Sequence, residues 1–240
     1  MRVAVLSDVH GNLHALEAVL ASVDRDAPDE IWCLGDLVGY GPRPNRCCAL
    51  VAERADVCLI GNHDLAVLGR IDLDVFAPDA AESARWTAEV LEPEPRAFLE
   101  ALEPTARRRG AGLFHASPRD PVWEYVLSPE VALASLAQTE DELVLVGHSH
   151  VALRFGSEER ALALAGEGTE VELGRERCLL NPGSVGQPRD GDPRAAWLLL
   201  DLDGGRASFR REPYDIDRTQ AELRERDLPE ALAARLEHGI

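Results

Sequence analysis

Four short blocks carry side chains able to bind metal: Asp8-Val9-His10, Gly35-Asp36, Gly61-Asn62-His63-Asp64 and Gly147-His148-Ser149-His150. A fifth, Leu113-Phe114-His115-Ala116-Ser117-Pro118, adds another imidazole. Taken singly, each has a plain explanation: Gly-Asp and Gly-Asn commonly mark turns, and a lone histidine is more often a core or surface residue. The set is different. Five of the seven histidines fall in these blocks, and only His14 and His238 lie outside. Carboxylate, amide and imidazole ligands gathered at one edge suit divalent cations that activate water. The leading expectation is therefore hydrolysis of a phosphate ester.

Elements must bring these blocks together. The apolar runs Val3–Leu6, Glu30–Leu34, Val57–Ile60, Gly112–Phe114 and Leu143–Val146 read as strands buried on both faces. Helical spacing of Leu13, Leu16, Val19, Leu20 and Val23 follows Asn12, a suitable N-cap, and Asn45–Arg54 reads as a second helix. This rhythm predicts parallel strands joined by crossover helices, with ligands where the strands end. If extended, Asp8 and His10 point the same way, and so do His148 and His150. A glycine before Asp36 and before Asn62 permits a sharp turn and a close approach.

The stretch 65–105 reads as a helical excursion, with helices around Ala80–Leu91 and Arg96–Leu102, and Ser128–Ala137 as one more helix. Segments at 151–155, 160–165, 169–173, 177–180, 195–201 and 206–212 suggest a second, largely antiparallel sheet, and 215–238 a helical tail. The simplest organisation is one α/β domain over residues 1–240 with two packed sheets.

Composition narrows the chemistry. The chain of 240 residues has 25 basic side chains, all arginine, so Schiff-base and P-loop lysine chemistry are excluded. A formal charge of −18 argues against binding long nucleic acid. Five cysteines in no CxxC spacing predict reduced, mostly buried thiols rather than disulfides or a thiolate zinc site. With no long apolar run and no signal-like N-terminus, a cytoplasmic protein without a membrane span is expected.

The motifs SDVHGN (7–12), GDLVGYGP (35–42), GNHD (61–64), FHASP (114–118), GHSH (147–150) and NPGSVGQPR (181–189) occur in one order along the chain. In this it resembles the calcineurin-like metallophosphoesterases, especially their small bacterial phosphodiesterase branch. The resemblance implies a four-layer α/β/β/α sandwich of two mixed sheets flanked by helices. It implies two divalent transition-metal ions, such as manganese, iron, cobalt, nickel or zinc. Asp8, His10 and His150 would hold one ion, Asn62, His115 and His148 the other, and Asp36 would bridge them. A metal-bridging hydroxide would attack a small phosphate ester, most suitably a diester. Phosphomonoesters and dinucleoside polyphosphates are alternative substrates, and a noncatalytic scaffold on the same fold is an alternative of another class.

By the same resemblance His63 would be the general acid, with Asp64 fixing its tautomer; a purely structural His63 is the rival reading. Asn12 either donates to a phosphate oxygen or only caps the first helix. Arg189 either reaches substrate or stabilises its loop. Ala116 stands where many relatives carry glycine, which puts the placement of His115 in question. Arg107-Arg108-Arg109 reads as a solvated charge run.

Overall fold

The computed structural model describes residues 1–240. Its order begins β1 (Arg2–Leu6), α1 (Leu13–Asp26), β2 (Glu30–Cys33), α2 (Pro44–Arg54), β3 (Val57–Cys58) and α3 (Asn62–Val67). A 3-10 turn (Leu73–Val75), α4 (Pro78–Val90) and α5 (Pro93–Glu100) follow, then β4 (Thr105–Arg108), β5 (Ala111–Phe114), α6 (Pro129–Leu136) and β6 (Leu143–Val146). The remainder is β7 (Ala152–Gly156), β8 (Leu162–Leu164), β9 (Glu170–Glu172), β10 (Cys178–Pro182), β11 (Ala195–Asp201), β12 (Arg206–Glu212), α7 (Ile216–Arg224), α8 (Glu230–Ala234) and a closing 3-10 turn (Arg235–Glu237).

Alternation along β1 separates two cores, because successive side chains of a strand face opposite ways. Ala4 and Leu6, with Ile31 and Cys33 of β2, pack against Leu16, Val19 and Leu20 of α1 and Cys47, Cys48 and Val51 of α2. Val3, Val5 and Trp32 face inward onto Leu113, Leu145 and Leu180 of the other sheet. That sheet's outer face, with Val144, Val146 and Leu179, is covered by Ala132 and Leu136 of α6. The result is helices, sheet, sheet, helix, as expected.

The strand orders are β3-β2-β1-β11-β12-β9 and β4-β5-β6-β10-β7-β8. Here the structure corrects one expectation. The segments after His150 do not make a second sheet of their own. Strands β1 and β6 are buried on both faces and are central, so each needs a partner on both edges. Strand β1 takes β11 antiparallel, and β6 takes β10 parallel. Both sheets are therefore mixed.

Other differences are local. The helices of 65–105 start earlier than their apolar spacing suggests, because Pro78 and Pro93 sit in the first turns of α4 and α5. The tail is not one helix, because the chain reverses at Asp227 (φ 53°) and Pro229 precedes α8. Nor is the arginine triplet simply solvated. Arg107 and Arg108 lie in the edge strand β4, Arg108 and Arg109 both donate to Glu30, and Arg107 reaches Asp141. All five cysteines are free thiols, four of them buried. No helix is long and apolar enough to cross a membrane.

Candidate metal centre

Strands β1, β2 and β3 run parallel in one sheet, and β5 and β6 in the other. The five blocks follow the carboxyl ends of these strands, and the stacked sheets bring those ends to one rim. Asp8 and His10 leave β1, Asp36 leaves β2, and Asn62 opens α3 after β3. His115 leaves β5, while His148 and His150 leave β6. The backbone there is not extended as expected. Asp8 (φ 54°), His10 (49°), Asp36 (52°), His148 (62°) and His150 (58°) are all left-handed. Their amides stay tied across the rim, Asp8 N–H to Gly35 O and His10 N–H to Asp36 O, while the left-handed turn redirects the side chain. Each such L-residue costs about 1–2 kcal/mol, and strain of this kind gathers at functional sites. Gly61 serves by its size: a Cβ there would overlap Asp36 Oδ1.

The side chains converge in two groups that share Asp36. In one group are Asp8, His10, Asp36 and His150, and in the other Asp36, His115 and His148; ligand atoms within each lie no more than 4.8 Å apart. Asp36 Oδ2 is 3.6 Å from His10 Nε2 and 3.5 Å from His115 Nε2. Asn62 Oδ1 lies 3.2 Å from His115 Nε2, which brings the seventh residue to the second group. With Ala116 after it, His115 still reaches both Asp36 and Asn62.

Hydrogen bonds set which nitrogens are free. Backbone carbonyls hold one ring nitrogen of each imidazole: Val38 O on His10 Nδ1 (3.0 Å), Gln187 O on His150 Nδ1 (2.7 Å), Leu34 O on His115 Nδ1 (2.9 Å) and Trp123 O on His148 Nε2 (3.2 Å). A neutral ring has one N–H, so donation to these carbonyls leaves the other nitrogen as a bare lone pair. His10 Nε2 and His150 Nε2 then face each other at 3.0 Å. Burial pushes both imidazoles well down, His63 adding to the effect on His10 and Arg189 to that on His150, so neither brings a second proton. Two lone pairs so placed repel unless a cation lies between them.

The carboxylates give the same sign. Burial raises Asp36 far above the usual carboxylate range, with the charge of Asp64 adding to it, and its Oδ2 has no hydrogen-bond partner. Burial likewise pushes Asp8 up to about 7 against the opposing charge of His115. Buried, partnerless oxygens and unprotonated imidazoles without sulfur are a donor set that fits divalent metal ions.

His63 sits beside this rim. Burial first, then the charges of Arg189 and His115, lower it to about 3, and its Nδ1 has no partner. Asp64 does not orient it. The Asp64 carboxylate accepts from the amides of Leu37 (2.9 Å), Val38 (3.0 Å) and Gly61 (3.0 Å), so it fastens the loop carrying Asp36 to the start of α3. Asn12 makes the cap that was one of its two expected roles. Its Oδ1 accepts from Ala15 N and Thr219 Oγ1, so the amide caps α1, and its Nδ2 gives one of its two N–H groups to Gly186 O. Arg189 donates to Tyr40 Oη (3.2 Å) and Gln187 Oε1 (2.9 Å) and makes no ion pair.

A cavity of about 510 Å³ opens over the rim, lined by Asn62, His63 and Arg189. Sequence reasoning missed its other walls. Tyr40 packs between His10 and His63. Tyr125 stacks on His148 at 4.2 Å. Arg235 arrives from the tail and donates to Gln187 Oε1 (3.3 Å), the oxygen that also holds Arg189. Tyr40 lies inside a quoted motif and was readable as part of it; Tyr125 and Arg235 carry no local signal.

Comparison with known proteins agrees with this geometry. The crystal structure of a metallophosphoesterase from Sphaerobacter thermophilus superposes with a TM-score of 0.92 at 42% identity, over all of this chain and 99% of that one. An uncharacterized protein of Methanocaldococcus jannaschii is 36% identical over 239 residues, 98% of this chain and 96% of its own. A symmetrical bis(5'-nucleosyl)-tetraphosphatase of Thioalkalivibrio sulfidiphilus is 29% identical over 170 residues, 64% of this chain and 56% of its own. The family model for the calcineurin-like phosphoesterase superfamily domain matches residues 1–205. Sequence, layers and rim thus agree, and the chain belongs to the calcineurin-like phosphoesterase superfamily.

Proposed function

We propose that the protein is a binuclear metal-dependent hydrolase of phosphodiesters. Asp8, His10, Asp36 and His150 would hold one ion, and Asp36, Asn62, His115 and His148 the other. One observation carries the reading: buried, partnerless Asp36 Oδ2 stands 3.6 Å from a bare imidazole nitrogen of one group and 3.5 Å from that of the other. That is where a shared carboxylate belongs. Bound there, divalent cations such as manganese, iron, cobalt, nickel or zinc would polarise the phosphoryl oxygens and acidify water.

The chain's own groups do the rest. Arg189 and Arg235, joined through Gln187, supply guanidinium charge to the cavity, and none of the chain's 43 Asp and Glu side chains lines it. This selects an anion in an acidic protein. His63 faces the same cavity and is the candidate acid for the departing oxygen. It is neutral at rest; an arriving phosphate anion opposes the burial that depresses it and favours the imidazolium.

His63→Ala tests this role with two diesters. Activity on an alkyl ester should fall by about 10²–10⁴-fold. Activity on a nitrophenyl ester, whose leaving group needs no proton, should fall far less, with metal content unchanged. Equal losses on both would remove His63 from proton transfer. A second reading, a dinucleoside polyphosphatase, is favoured by the relative of that name. Hydrolysis of bis-nitrophenyl phosphate against diadenosine tetraphosphate by metal-loaded protein separates the two.

A further inference from the structure

Two lines of aromatic contact lead outward from the metal rim. On one, His63 meets Phe76 edge-on at 5.0 Å and Phe76 meets Trp123 at 5.3 Å. On the other, Tyr125 lies almost parallel to His148, at 4.2 Å and 12°. Both end in open faces, with Trp123 38% and Tyr125 47% exposed. Of the chain's twelve Phe, Trp and Tyr residues, four line this one cavity: Tyr40, Phe76, Trp123 and Tyr125. Large rings left open beside a reaction site are costly to hydrate and are characteristic of recognition surfaces.

The backbone that carries Trp123 and Tyr125 is also fixed before any ligand arrives. Asp120 Oδ1 accepts from the amides of Val122 and Trp123, both at 3.1 Å. Ser117 Oγ donates to Glu124 Oε2 at 2.6 Å, and Trp123 O bonds His148 Nε2. The segment is therefore tied to the rim at both its turn and its carbonyl. Such preorganisation lowers the cost of binding.

We infer that the cavity is built for a nucleotide-type ester: the phosphoryl group sits on the metal rim and a nucleobase stacks on Trp123 and Tyr125. This deepens the hydrolase reading and rests on it. The chemistry is complementary throughout. Flat π-faces stack on bases without reading their edges, so the site tolerates different bases. The guanidiniums of Arg189 and Arg235 balance the phosphate. A substrate with an aliphatic substituent would leave the aromatic wall in water.

The test uses metal-loaded protein and two diesters with one leaving group: thymidine 5'-(4-nitrophenyl phosphate) and methyl 4-nitrophenyl phosphate. Stacking of one base should favour the nucleoside ester in kcat/KM by about 5- to 150-fold. Trp123→Ala should remove most of that ratio, and Trp123→Phe should keep it. A ratio of one in the native protein, or a ratio unmoved in both Trp123→Ala and Tyr125→Ala, overturns the inference. Calorimetric binding of thymidine 5'-monophosphate against deoxyribose 5-phosphate separates the two readings. Tighter nucleotide binding that depends on Trp123, with neither ester cleaved, keeps the platform and removes the hydrolase. Cleavage of both esters at one rate keeps the hydrolase and removes the platform. No cleavage and no difference in binding removes both.

Discussion

Strand β2 has a buried carboxylate at its start and another just beyond its end, and the two live in opposite worlds. Glu30 takes bonds from Arg108, Arg109 and the Trp32 indole, and the Arg108 contact above all pulls it down to about 2. Asp36, a few residues on, is pushed up by burial and has an oxygen with no partner. Its backbone is left-handed, whereas Glu30 lies in a regular strand. One end of the strand is satisfied and ties its sheet to β4, the edge strand of the other. The opposite end offers a buried oxygen without a hydrogen-bond partner, within a side-chain group that could hold a cation. Buried polar groups are otherwise almost always paired, so the contrast marks the working end of the molecule.

The sharpest way to break this contrast is Asp36→Asn. We expect kcat/KM to fall by about 10³-fold, the scale of losing a major charge-stabilising group, together with bound metal. Stability of the metal-free protein should hold or rise, because a buried charge is gone. Full metal content in that variant would remove Asp36 from the centre.

Next in size is the pH response of the metal-free protein. Asp8 titrates at about 7 when folded, against about 3.8 in an unfolded chain. A raised folded value contributes stability that is complete below the unfolded one and is lost as pH rises through 7. The metal-free protein should therefore lose up to about 4 kcal/mol between pH 4 and 8. Divalent ions should restore it, and Asp8→Asn should flatten the slope. Melting curves across that range, with and without metal, decide this. A metal-free protein as stable at pH 8 as at pH 4 would contradict it.

Glu30 carries the opposite sign. Its folded value is depressed, so its contribution is present above pH 4.5 and disappears as pH falls through about 2. Glu30→Gln should lower Tm by about 2–4 °C at neutral pH, with activity and metal content untouched. A loss of activity there would mean that the two ends are not independent. The smallest effect belongs to the tail. Arg235→Ala should raise KM by about 5-fold with kcat nearly constant, as for a group that binds ground and transition states alike. A fall in kcat alone would assign Arg235 to the chemistry.

Much of the rim was legible because its signals are local. Each block pairs a short apolar run with Asp, Asn or His at its end, and a buried strand end leaves little freedom in where such residues go. What escaped depends on contacts between distant segments. Thr105–Arg108 looks polar because an edge strand needs no apolar alternation; it pairs with β5, and its arginine Arg108 is held by Glu30 of the other sheet. The role of Asp64 is set by the amides of Leu37 and Val38, not by its neighbour His63. Asn12 read equally as cap or substrate donor, and the partners that fix its amide, Gly186 and Thr219, lie far along the chain. The pairing of β11 with β1 follows from the needs of a central strand, which the C-terminal segments do not reveal in isolation.

The left-handed turns at Asp8, His10, Asp36, His148 and His150 have a consequence for mutational scanning. Alanine at these sites deletes a side chain yet keeps the Cβ crowding, so the loop still resists its native shape. Glycine deletes the side chain and relaxes the turn as well. Comparing the two replacements at each position would divide the loss of a liganding atom from the release of a sprung backbone.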